Sequence, residues 1–111
     1  MLPRKNRIPK EDFPSPQERG SRVFSPLFSG VIYKNDGLTR VAVVVSKKTA
    51  KTAVVRNRIR RRFYSALAHF LKDTDKGSLM VFYPKKEAET APFPVLKSEI
   101  ETIIRKNLSK A

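Results

Sequence analysis

The chain has 111 residues, with 24 Lys and Arg against 10 Asp and Glu and a formal net charge of +14, so it has room for one domain around a modest core. A pI near 10.6 calls for a polyanionic partner, nucleic acid first and an acidic membrane surface second; no apolar run approaches a membrane span, and no signal-peptide pattern follows Met1. The absence of cysteine excludes a disulfide framework and a thiolate metal site, and it fits a reducing, cytoplasmic setting.

Residues 1–10 are basic and punctuated by proline, which predicts an extended, flexible arm: either a disordered tail or a strap along a phosphate backbone. Glu11-Asp12-Phe13 can open a short helix, with Asp12 as a cap and Pro16 and Gly20 limiting its length. Residues 23–34 are aromatic and β-branched, and Pro26 divides them into a short piece and a longer strand. Asn35-Asp36-Gly37 is a turn signal that predicts a hairpin to the next strand. That strand, residues 40–46, is almost continuously apolar, as a central strand covered on both faces would be.

The strand feeds into residues 47–62, KKTAKTAVVRNRIRRR, which carry eight positive charges and no carboxylate. The acid-free zone extends from residue 37 to residue 72. An ordinary solvated helix face mixes Glu with Lys, so this one reads as a site for phosphates, whose oxygens the arginine fork fits in pairs. At helical spacing, Val55, Ile59, Phe63, Ala66, Leu67 and Phe70 form one apolar stripe on a helix over about residues 53–72. Asn57, Arg58, Arg60, Arg61 and Arg62 spread round the remaining surface, with Arg56 at the boundary.

Beyond a polar turn at residues 73–77, residues 79–83 (LMVFY) form a buried strand closed by Pro84, and residues 85–92 form a loop. A final helix over residues 94–108 places Leu96, Ile100, Ile103, Ile104 and Leu108 on one side. The expected fold is α+β, a two-layer α/β sandwich of order α-β-β-β-α-β-α in a single domain spanning residues 1–111.

The catalytic inventory is sparse. The single His69 sits beside core positions, which assigns it a structural or surface role; the carboxylates are scattered, with no spacing for a metal pair or an acid/base pair, and no glycine-rich phosphate loop is present. Taken alone, the protein does not read as an enzyme. Phe13, Phe24, Phe28 and Tyr33 are candidates for stacking unpaired bases; the core is favoured for Phe24, while Phe13 and Tyr33 stand at element edges.

Ser46-Lys47-Lys48, followed by AVVRNRIRR at residues 53–61, resembles the signature of the bacterial ribonuclease P protein subunit, with its Arg-Asn-Arg helix. The order of elements and Glu11-Asp12-Phe13 match along nearly the whole chain. The resemblance implies a sandwich with a left-handed crossover, an exception to the usual hand. It also implies a subunit of an endoribonuclease whose RNA, using Mg²⁺ held mainly by that RNA and none by the protein alone, removes the 5′ leader of precursor tRNA. No protein residue is then catalytic, and no membrane or protein partner is required. Lys47, Lys48, Lys51, Arg56, Asn57, Arg58, Arg60 and Arg61, with Arg62 adjacent, match the surface that meets the catalytic RNA. Phe13, Phe28 and Tyr33 match a cleft for the leader, with Val31 as the alternative register to Tyr33. The chain departs from the pattern at several places, with Pro14 and Pro16 inside the first helix among them. One extra residue separates Lys48 from Arg56, and Thr49-Ala50 stands near a customary glycine. Gln17 replaces a second cleft aromatic, and Tyr64 stands where a basic residue is frequent. A ribosomal or general RNA-binding protein is the alternative; a DNA-binding architectural protein is disfavoured because no helix-turn-helix pattern is visible.

Overall fold

The computed structural model describes residues 7–8, 20–34, 39–70 and 78–108. In chain order these form β1 (Ser21–Phe24), β2 (Phe28–Lys34), β3 (Arg40–Val43), α1 (Ala53–Ala68), β4 (Ser78–Pro84), a short 3₁₀ helix (Lys86–Glu89) and α2 (Phe93–Leu108). The helix expected to open at Glu11, the turns at residues 35–37 and 73–77, and residues Pro14, Pro16 and Gln17 lie outside the described residues.

Pro26 divides the first extended stretch as expected. Ser25 builds the resulting turn: its N–H donates to the Phe28 carbonyl at 2.8 Å, and its Oγ accepts the Leu27 N–H at 3.1 Å. The turn is also tied to distant chain, since Ser25 Oγ donates to Glu99 Oε2 of α2 at 3.0 Å and Lys85 Nζ donates to the Ser25 carbonyl at 2.9 Å.

The hairpin expected between β2 and β3 does not form. The sheet order is β1-β2-β4-β3, with β4 antiparallel to β2 and parallel to β3. The reason lies in burial. Met80, Val81 and Phe82 are all nearly inaccessible, on both faces of their strand, so β4 needs neighbours on each side. It pairs with all seven residues of β2, from Phe28↔Pro84 to Lys34↔Ser78, whereas β3 contributes four residues to the ladder. The central position expected for residues 40–46 therefore belongs to β4, and β3 lies at the edge of the four-stranded sheet. Both of its faces are nevertheless covered, since Val41, Ala42 and Val43 are buried. Its outer edge is met by Arg7 and Ile8, which bridge to Val41 with Ile8 N–H donating to the Val41 carbonyl at 2.8 Å. Residues 7–8 of the expected flexible arm are thus held against the sheet, with Ile8 buried. Covering an edge strand in this way removes a template for unwanted pairing.

Both helices contribute to the main core. Ile59, Phe63, Ala66 and Leu67 of α1 and Leu96, Ile100, Ile103 and Ile104 of α2 share one buried cluster with Val41, Val43, Met80 and Phe82 of the sheet. At its centre Phe28 meets Phe63 and Phe82 edge-on, each with ring centroids 5.5 Å apart. A smaller cluster of Ile8, Ala42 and Val81, with Tyr33, Val44 and Leu79 packed against it, is separate from the main core. Alternation along the strands places Ala42, Val81, Tyr33 and Leu79 on the opposite side of the sheet from Phe28, Met80 and Phe82. α1 ends at Ala68 rather than near residue 72, and His69 is exposed in the turn that follows.

Candidate nucleic-acid interface

Residues 46–52 turn the end of β3 into the start of α1. Ser46 organises the turn: its carbonyl accepts the N–H groups of Thr49 and Ala50 at 3.1 Å each, and its Oγ contacts Thr49 Oγ1 at 3.1 Å. Ala50 is buried, which leaves Lys47, Lys48 and Lys51 exposed around it. Thr52 caps α1 by accepting the Val55 N–H at 3.3 Å, and no acidic residue occupies the first turn. The positive end of the helix dipole therefore adds to the three lysines instead of being offset.

Arg56 holds this loop to the helix. Its Nη1 donates to the carbonyls of both Ala50 and Lys51, at 2.9 and 3.0 Å. Seven residues separate Lys48 from Arg56, and Arg56 itself closes the loop they form. Arg56 is half-buried, as its place at the edge of the apolar stripe requires.

The other arginines divide by direction. Helical spacing puts Arg60 and Tyr64 on the flank of Arg56, towards β3, where the Tyr64 hydroxyl accepts the Val43 N–H at 3.3 Å. Tyr64 thus ties α1 to β3. Asn57 and Arg61 point outward; Arg60 Nη1 donates to Asn57 Oδ1 at 2.6 Å and orients it. Arg58 and Arg62 occupy the opposite flank. Arg58 Nη1 lies 3.7 Å from Glu89 Oε2, and Arg62 Nη2 donates to the Ala91 carbonyl, just ahead of α2. Arg62 is half-buried and ties α1 to the segment ahead of α2, so less of it is open to a phosphate than of Arg58 or Arg61. The side chains of Lys47, Lys48, Lys51 and Arg61 are exposed and make no hydrogen bond or ion pair with another described residue.

The aromatic candidates are rearranged. Phe28, expected in a binding cleft, has 0% exposure inside the ring cluster with Phe63 and Phe82, and no ligand can reach it. Phe24, expected in the core, is 70% exposed. Tyr33 is half-buried on the sheet face away from Phe28, against the smaller cluster. Gly20 lies beside it: a Cβ there would meet Val31 Cγ1 at 2.5 Å and the Tyr33 ring at 2.9 Å. Tyr83, 43% exposed, shares that face. Strand parity holds the signal for these residues, since Phe24 follows buried Val23 and Tyr83 follows buried Phe82. The uninterrupted apolar runs around them conceal it. Phe13 lies outside the described residues.

This loop–helix unit and sheet match a known family. The ribonuclease P family model matches residues 2–107. The chain is 34% identical over 93 residues to the ribonuclease P protein component of Finegoldia magna, covering 84% of this chain and 81% of that one. It is 31% identical over 109 residues to the ribonuclease P protein component of a Pseudanabaena species, covering 96% and 94%. The chain belongs to the ribonuclease P protein family. Its fold resembles that of the RNase P protein from Thermotoga maritima, with a TM-score of 0.70 at 20% identity over 78% of this chain and 83% of that one. The RNase P protein of Staphylococcus aureus gives 0.66 at 20% identity, over 78% and 79%.

Among the described residues no three His, Asp or Glu side chains converge, and Glu89, Glu99 and Glu101 are engaged with Arg58, Ser25 and Arg105. No helix among the described residues is long and apolar enough to cross a membrane.

Proposed function

We propose that this chain binds the RNA subunit of ribonuclease P through the basic loop and α1, and receives the 5′ leader of precursor tRNA on the sheet face that carries Tyr33. The RNA performs the endonucleolytic hydrolysis that leaves the mature 5′ end. The observation that carries this reading, within the family, is the acid-free unit in which Arg56 clamps the Lys47–Lys51 loop to the helix. Lys47, Lys48, Lys51, Asn57, Arg60 and Arg61 form its RNA-facing surface, with Arg58 at the rim.

The chemistry asked of the protein is electrostatic. Clustered phosphates around a hydrolytic centre repel one another, and fixed guanidinium and ammonium groups reduce that repulsion without being displaced as mobile ions are. The protein thereby lowers the Mg²⁺ concentration the RNA needs, while the ions themselves stay with the RNA. Phe13 and Tyr33 supply stacking for unpaired leader bases, each worth roughly 1–3 kcal/mol. The reading includes a cytoplasmic setting.

Reconstitution with a bacterial ribonuclease P RNA and a precursor tRNA at low Mg²⁺ tests it. The expected result is correctly placed cleavage that requires both subunits and none with protein alone. Cleavage by nuclease-treated, RNA-free protein would overturn the assignment of the chemistry to RNA. Equal affinity for the ribonuclease P RNA, bulk double-stranded RNA and duplex DNA at one salt concentration would reduce the chain to a general nucleic-acid binder.

A further inference from the structure

The sheet face turned away from Phe28 carries two exposed aromatic rings that Tyr33 does not account for. Phe24 of β1 pairs with Ser29 of β2, and Ser29 pairs with Tyr83 of β4. The two rings therefore flank one small residue in a single row across three strands, about 10 Å apart by strand spacing. Their exposures of 70% and 43% are the two largest among the bulky apolar residues of the sheet. A solvated sheet face has no reason to hold Phe and Tyr in one row with Ser between them, and exposing both costs hydrophobic free energy that burial would recover.

The surroundings indicate the occupant. The four strands contain no carboxylate, and two-residue alternation puts Arg22 and Arg40 on this face. Arg22 is exposed. Lys86 is exposed just past Tyr83. Val44 N–H donates to the Phe82 carbonyl at 2.9 Å, so β3 leaves the sheet beside Tyr83 and enters the basic loop at that end. Rings set beside cations on strands that carry no acid match single-stranded RNA, whose bases stack while its phosphates are neutralised. Tyr33 pairs with Leu79, four residues from Tyr83 along β4, or about 13 Å away. One stacked base cannot reach both.

We infer that Phe24 and Tyr83 form a second stacking site for unpaired leader nucleotides, separate from the one at Tyr33 and adjoining the basic loop. The inference rests on the leader-binding reading above. It extends the footprint of the protein on the leader by a row of the sheet.

The test is a series of precursor tRNAs with progressively shortened leaders, bound to holoenzyme reconstituted with a bacterial ribonuclease P RNA. Wild type is compared with the Phe24→Ala/Tyr83→Ala double variant and with Tyr83→Phe. Affinity of the wild type should rise with leader length in steps. The double variant should lose one step, weakening the full-length leader by about tenfold or more, while mature tRNA binding is unchanged. Tyr83→Phe keeps the ring and should keep the step. Because both rings are exposed, the unfolding temperature of the free protein should hold. A double variant that follows a rising wild-type curve at every length overturns this inference alone. Equal losses for leaderless tRNA or for the RNA subunit also overturn it, by assigning the rings to the catalytic RNA. A flat wild-type curve overturns the leader reading and this inference together.

Discussion

The two faces of the sheet use the same residue types for opposite ends. On one, Phe28 and Phe82 lock against Phe63 of α1, and none of the three rings is more than 1% exposed. On the other, Phe24, Tyr33 and Tyr83 remain partly or largely open, above a small cluster that Ile8, Ala42 and Val81 fill. Aromatic content alone does not separate a core from a recognition surface. The covering does: α1 and α2 bring a full apolar stripe to the first face, whereas the buried cluster of the second draws on no helix among the described residues.

The largest expected effect tests the closed face. Phe82→Ala removes a ring that touches both Phe28 and Phe63, and should destabilise the fold by about 3–5 kcal/mol, measured by chemical or thermal unfolding. A loss below about 1 kcal/mol would mean that the cluster collapses freely and is not a close-packed centre.

The open face should respond in binding instead. Tyr33→Ala should weaken precursor tRNA by about 1–3 kcal/mol and leave mature tRNA nearly unaffected, read from paired affinities of the holoenzyme. Equal losses for the two tRNAs would end the distinction between the faces.

The same division runs through α1, and a pair of variants exposes it. Arg62→Ala leaves the Ala91 carbonyl without its donor and should cost about 1 kcal/mol of stability, with little change in the salt dependence of RNA binding. Arg60→Ala/Arg61→Ala should do the reverse. The slope of log affinity against log salt should flatten by about 1.4 to 1.8, at 0.7 to 0.9 per phosphate contact, while unfolding is barely altered. An unchanged slope would mean that the outer face of α1 is only solvated.

The smallest effect is a displacement. Gly20→Ala places a methyl group against Val31 and the Tyr33 ring, so one of them must move. Precursor affinity should fall by less than in Tyr33→Ala, with mature tRNA again spared. A variant indistinguishable from wild type would show that the ring position is not critical.

Much of this organisation is local and therefore legible in the sequence. The stripe of Ile59, Phe63, Ala66 and Leu67, and its counterpart at Leu96, Ile100, Ile103 and Ile104, follow from a repeat of 3.6 residues that each helix carries by itself. The concentration of cations without acids around α1 is likewise a property of consecutive residues, and so is the break at Pro26. Strand order was not legible, because it depends on which distant segment most needs two neighbours. Asn35-Asp36-Gly37 has the chemistry of a hairpin turn, yet β4, arriving after α1 with both faces apolar, takes the place beside β2. The fates of the arginines were equally non-local. Arg56 and Arg62 belong to one basic run, but carbonyls at Ala50 and Lys51 hold the first, and a carbonyl 29 residues away holds the second. Phe24 and Phe28 exchange their expected places for the same reason. Strand parity makes the two sides of the sheet, and only the docking of α1 and α2 decides which side is closed.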